Sequence, residues 1–278
     1  MSSPRMLPTS NLVQSVAFVL VRKPRPRRPV EDAVTLDVRR ASDRFRTRTE
    51  LLDSRHSFSF GQHYDPANTH HGPLLACNED VVAPGGGFGS HPHRDVELVT
   101  WVLSGELRHE DSTGRTAVLG PGHVQRLSAG SGVVHSEVNP GTSPARWVQL
   151  WITPDRSGGP PDHQAAQVDD ARLRSGLVPL VSGLAAHAGA GVLTLGNAGV
   201  AVLAARLEPD QQVVVPQAPR VHLLVTAGSI VLAGAGLLHL GDAVRVRGAG
   251  ALGVRAQGRA ELLVCQMQEL GRPDAAGR

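Results

Sequence analysis

Lysine is nearly missing from this 278-residue chain: among its 28 Lys and Arg residues only Lys23 is lysine, and it lies inside the run RKPRPRRP at 22–29. That excludes two chemistries. A P-loop needs a lysine beside a glycine-rich turn, and a pyridoxal Schiff base needs a buried one. The G-x-S-x-G elbow of a serine hydrolase is also absent. Cysteine is scarce too. Cys77 and Cys265 are too few for a disulfide scaffold or a Cys-based zinc or iron–sulfur site, and they fit a reducing, cytoplasmic setting. The longest uncharged apolar run near the start, LVQSVAFVLV at 12–21, has ten residues, against roughly twenty for a membrane span. The basic residues follow this run and no Ala-x-Ala closes it, so neither an export signal nor a membrane anchor is expected.

The charge is unevenly spread. Residues 1–50 hold 11 Lys+Arg against 5 Asp+Glu, and the rest of the chain 17 against 20. Any affinity for nucleic acid would sit in the 22–29 run, and none is expected for the folded body.

Glycine and proline are abundant, at 31 and 20, while aromatics make up only 3%. Between the turns lie short Val/Leu-rich runs: LVTWVL (98–103), VQRLSAGSG (124–132), RWVQLWI (146–152), VAVLAARL (200–207), RVHLLVTAG (220–228) and AELLVCQM (260–267). Their length and spacing predict an all-β chain of sandwich or barrel type. LVTWVLSGEL and HLLVTAGSIVL read as the same hairpin written twice, which points to two similar barrels in tandem. The expected organisation is a leader over 1–36, a first barrel over 37–155, a linker over 156–175 around the polar TPDRSGGPPDHQ, a second barrel over 176–270 and a tail over 271–278. DDARLRSGL at 169–177 is expected to hold a helical turn.

One constellation carries chemistry. On a strand, residues i and i+2 share a face, so His91 and His93 of GGGFGSHPHRDVE (85–97) point the same way. Asp95 and Glu97 join them if the strand runs on. About forty residues later AGSGVVHSEVNP (129–140) offers His135 and Glu137, again i and i+2. Imidazoles and a carboxylate converging from two strands suit a divalent first-row ion such as Fe, Mn, Ni, Cu or Zn. Parity alone admits both Glu97 and Glu137. His70–His71 reads as a packing or surface feature, and His109 and His123 as solvated. His222 and His239 of the second half lack an H-x-H or a paired carboxylate, so no metal is expected there.

These stretches resemble the two cupin motifs: Gly85, His91-x-His93 and Glu97, then Gly132-x-x-His135-x-x-x-Asn139, with the closing Gly105 one residue later than usual. Within cupins the chain is similar to the pirin family, through SFSFGQHYDP (57–66), GPLLACNEDVVAPGGGFGSHPHRDVE (72–97), SAGSGVVHSEVNP (128–140) and VQLWITP (148–154). The resemblance is strong through residue 155 and faint afterwards. It implies two tandem cupin jelly-roll barrels with one metal ion in the first, iron foremost, held by His91, His93, His135 and Glu137. Glu97 would then line the pocket beside the ion. It also implies a quercetin 2,3-dioxygenase-type oxygenase, taking a small aromatic substrate and dioxygen, with Glu137 or Glu97 as the proton-accepting carboxylate. Phe58, Phe60 and Trp101 are candidates for the pocket wall. The alternative is a metal-dependent regulatory or redox-sensing module that binds a protein partner.

Overall fold

The computed structural model describes residues 34–190, 193–248 and 250–269. The apolar run at 12–21, the arginine-rich run at 22–29 and the tail 271–278 lie outside the described residues. The described chain is almost entirely strand, in two seven-stranded and two four-stranded antiparallel-dominated sheets. In each half a seven-stranded sheet closes against a four-stranded one around a buried core, so the tandem jelly-roll reading holds. DDARLRSGL supplies the α-helix Asp170–Ser175, capped by the Asp169 carboxylate on Ala171 N–H at 2.9 Å. Among the described residues no helix is long and apolar enough to cross a membrane.

The suspected duplication has a physical basis at two glycines. Glu97–Ser104 and Leu107–Asp111 belong to different sheets, as do Arg220–Ala227 and Ser229–Leu232. Neither pair is a hairpin, contrary to expectation; each is a corner where the chain leaves the large sheet for the small one. The corners turn at Gly105 (φ +69°) and Gly228 (φ +66°). A Cβ would lie 2.5 Å from Ala145 Cα at Gly105 and 2.0 Å from Arg259 O at Gly228. Only glycine combines the left-handed backbone with that approach.

The halves are interlocked beyond the expected boundaries. Thr35–Arg39, at the start of the expected first barrel, pairs with Ala243–Arg247 of the second half. Asp162–Gln167, within the expected linker, pairs with His123–Ser128 of the first. Proline and glycine at 156–160 mark a turn there, and the strand resumes directly after it.

Strand alternation sorts the side chains. In the second half the inward residues are largely apolar, forming one cluster that includes Leu203, Val225, Ile230, Val254 and Leu262, with Gln266 buried beside Ala201 and Val221. In the first half the apolar interior splits in two: Val102, Leu107, Leu119 and Trp147 at one end, Leu98, Leu127 and Val133 at the other. The outward residues of both large sheets meet in a further cluster joining Val99, Trp101 and Leu150 to Leu180, Val202 and Leu263. The central strands are therefore buried on both faces, which is why they read as continuous apolar runs.

Leu263→Ala removes a buried side chain from this inter-half cluster and is expected to cost about 2–5 kcal/mol of unfolding free energy. Urea denaturation followed by fluorescence measures it; a cost far below that range would mean the halves do not depend on this contact.

Candidate metal centre

Between the two apolar ends of the first barrel lies a polar layer. It comes from alternation with a polar middle residue: Leu98-x-Thr100-x-Val102, Gln125-x-Leu127, Val133-x-His135-x-Glu137, Trp147-x-Gln149-x-Trp151 and Leu107-x-His109. All six middle groups (Thr100, His109, Gln125, His135, Glu137 and Gln149) are buried. Burying such groups is costly unless they satisfy one another.

They do. Glu137 Oε1 accepts Gln125 Nε2 at 2.6 Å and Thr100 Oγ1 at 3.3 Å, and its Oε2 accepts Gln149 Nε2 at 2.6 Å. Each amide is fixed from its other end. Trp151 Nε1–H donates to Gln149 Oε1 at 2.8 Å, and His163 Nε2 bonds Gln125 Oε1 at 3.0 Å. Burial raises the Glu137 carboxyl above its usual range, against the Gln149 bond. Asp80, fully buried and bonded by Ser54, is pushed up to about 7 by burial, with the Glu137 and Glu79 charges adding to it.

His91, His93 and His135 converge on the open side of this layer. Their ring centroids are 4.5 to 5.0 Å apart, and their ligand atoms lie within 4.8 Å of one another. Two strands at one edge of the four-stranded sheet position them: Gly87–His93 pairs with Val133–Val138, with His135 opposite His91. Pro92 belongs to the outer strand, where a missing N–H costs no ladder bond. The glycine run serves the same approach, since a Cβ on Gly87 (φ +138°) would sit 2.2 Å from Glu137 O.

The ring nitrogens decide what the cluster can hold. His91 Nδ1 donates to the Gly89 carbonyl at 2.7 Å, leaving Nε2 with its lone pair. His93 Nε2 and His135 Nε2 are buried with no hydrogen-bond partner among the described residues. Burial lowers the His93 pKa to about 3 and the His135 pKa to about 2, with the His91 charge adding to both. Converging imidazoles with unpaired buried nitrogens fit a divalent first-row transition ion.

Several expectations shift. Glu137 groups with His135 and His109, not with His91 and His93. Glu97 lies outside the site. The strand does not run on from His93: Asp95 adopts φ +52° and resets the alternation. Glu97 then shares the parity of Val99 and Trp101 and faces the second half, where it accepts Gly196 N–H at 2.8 Å and Ser128 Oγ at 2.6 Å. His109 is fully buried, not solvated, and His71 is buried against Val246 O. Phe58 and Trp101 belong to the inter-half contact, where Phe58 packs on His222 and Trp101 donates to Glu261 at 2.9 Å. Phe60 packs edge-on against Trp151, which in turn packs edge-on against His93 at 4.7 Å. Trp151 is thus the aromatic wall of the site. It, Thr100, Gln125, Gln149 and His109 were missed, although the polar middle position on five strands could have marked all but Trp151. Asn139, the last motif residue, holds its own turn by bonding Val82 O and Ser143 O and accepting Gly141 N–H.

Two outcomes follow. Glu97→Ala removes the carboxylate that accepts Gly196 N–H and Ser128 Oγ and is expected to cost about 1–3 kcal/mol in chemical denaturation, with metal uptake unchanged; loss of uptake would return Glu97 to the centre. Six buried histidines (His56, His71, His93, His135, His163, His222) have lowered pKa values, against two carboxyls, Asp80 and Glu137, with raised ones. Unfolded histidines take up protons near pH 6.5, and the buried ones do not. Asp80 and Glu137 oppose this, gaining protons when folded as pH falls, but they are outnumbered. The metal-free protein should therefore lose stability as pH falls from about 6.5 to 4, read as a falling thermal midpoint.

Comparison with known proteins bears on the fold and the family. The pirin family profile matches residues 38–152. A Mycobacterium tuberculosis protein provisionally named quercetin 2,3-dioxygenase is 49% identical over 234 residues, covering 84% of this chain and 95% of its own. The Escherichia coli K12 quercetin 2,3-dioxygenase is 40% identical over 133 residues, 48% of this chain and 58% of its own. The crystal structure of the Escherichia coli pirin YhhW in complex with nickel(II) superposes with a TM-score of 0.77 at 29% identity, covering 85% of this chain and all of that one. On sequence and on fold, this chain belongs to the pirin family.

Proposed function

We propose that the protein is a metal-dependent dioxygenase of the quercetin 2,3-dioxygenase type, acting on a flavonol or a related enediol or catechol-like substrate. One observation carries the reading: His91, His93 and His135 face one another, the latter two buried with their Nε2 atoms unpaired. The names of the relatives add the substrate class. We place the ion on these three nitrogens, with Glu137 as the carboxylate within reach of His135. When bound, such an ion supplies Lewis acidity and a meeting point for oxygen donors.

The chain's own groups do the rest. Trp151 and Phe60 offer an aromatic wall beside His93 for a flat ring. Glu137 is the proton acceptor for a substrate hydroxyl: its burial raises its proton affinity, and Gln125 and Gln149 hold its two oxygens in place. Glu97 has no part, since it lies on the outward face of its strand, where it bonds Gly196 and Ser128. His93 and His135 stay neutral well below pH 6.5, so protons compete weakly for the centre in mild acid.

His93→Ala is expected to abolish both metal content, by elemental analysis, and oxygen uptake with quercetin, with the circular dichroism of the wild type retained. Equal uptake by both proteins would remove the enzyme assignment from this centre. A metal-loaded wild type inert to flavonols would favour the regulatory module instead. Metal content should persist in dialysis down to about pH 5, where ordinary imidazoles, with pKa about 6.5, are already protonated.

A further inference from the structure

Behind His135 lies a chain of groups that the metal reading does not use. His109 and Asp111 come from Leu107–Asp111, the strand on the far side of Val133–Val138 from His91. His109 is fully buried; its Nε2 is 3.1 Å from Asp111 Oδ2 and its Nδ1 is 3.5 Å from His135 Nδ1. Its ring stacks on His163 at 4.3 Å and 11°.

The protons along this chain are fixed from one end. Asp111 Oδ1 accepts three donors, Thr113 N–H, Thr113 Oγ1 and Arg115 N–H. Burial opposes its ionisation, but the bonds from Thr113 and His109 outweigh it and hold the pKa at about 2. A carboxylate only accepts, so the proton of His109 is on Nε2 and its Nδ1 presents a lone pair. His135 must then carry its proton on Nδ1 to meet that lone pair, and its Nε2 is left bare. That is the nitrogen found buried and unpartnered beside His91 and His93.

We propose that His109 is a positioning residue that, held by Asp111, sets the tautomer of His135 and so presents its Nε2 to the metal ion. The inference deepens the metal-centre reading and rests on it. Because the same bond orients the ring, it acts on affinity through His135 and not by contact with the ion. A second ion on His109, His135 and Glu137, which also lie within 4.8 Å, is disfavoured. The nitrogens of His109 and the oxygens of Glu137 are already engaged with protein partners, while the unpaired nitrogens are on the other side.

Asp111→Asn tests this without changing shape. The three donors on Oδ1 pin the amide oxygen, so the amide N–H2 faces His109 Nε2. That reverses the proton order: His109 carries hydrogen on Nδ1, and His135 is driven to the Nε2–H form that cannot bind an ion. Cobalt(II) titration followed by its visible absorption should show about 10- to 100-fold weaker binding. The 15N chemical shifts of the ring nitrogens in the metal-free protein should show His135 moving from Nδ1–H to Nε2–H. His109→Asn, whose amide oxygen falls near the Nδ1 position, should keep most of the affinity, and His109→Phe, which keeps the ring but no acceptor, should lose it. Unchanged cobalt affinity and an Nδ1–H His135 in Asp111→Asn would overturn the proposal. So would two cobalt ions per chain, which would make His109 a ligand. A wild type that takes up no cobalt would sink the metal centre, and this inference with it.

Discussion

A buried polar group needs a partner, and that constraint organises the first barrel. Five strands place a polar residue at the middle of their inward face, and the resulting layer is closed upon itself: two glutamines clamp Glu137, and Trp151 and His163 orient the glutamines. What the layer leaves unpaired is the nitrogen of His93 and of His135. The second barrel, with mostly apolar residues at its inward positions, closes into one apolar cluster. The same sheet architecture thus gives a core in one half and a chemical centre in the other, through the choice of residue at alternate strand positions.

The centre depends on structure well outside its own strands. His163 comes from a strand that follows the Pro/Gly turn at 156–160 and folds back onto the first sheet. Glu97 ties the strand that bears Thr100 to Gly196 of the second half. Trp101, on the same strand, reaches Glu261, which Arg206 also holds at 2.7 Å. The outer face of the large sheet is therefore pinned by the second barrel while its inner face supports the polar layer. The second half can be understood as a support that fixes the curvature and register of the first.

Membership of the pirin family, the imidazole cluster and the aromatic wall of Trp151 and Phe60 bear on one function together. The family brings a fold. The cluster brings unpaired nitrogens in a dry setting, where electrostatic interactions are strong and protons compete poorly. The carboxylate of Glu137 is held in a fixed orientation by Gln125 and Gln149.

Much of this was legible in the residues. Short Val/Leu runs between turns are enough for an all-β chain, because period-two alternation is a local property. The i, i+2 pairs His91–His93 and His135–Glu137 announce shared faces for the same reason. The lost information is of two kinds. A single backbone angle at Asp95 resets the parity that carried Glu97 inward, and no composition rule fixes one φ. Contacts between distant segments also leave no local trace: His163 on His109, Gly196 on Glu97, Thr35–Arg39 in the second half's sheet. Sequence alone determined which strands form and which side chains share a face. Only the tertiary structure decided which face is the pocket, because that depends on what packs against each side of the sheet, and packing is set by residues far away along the chain.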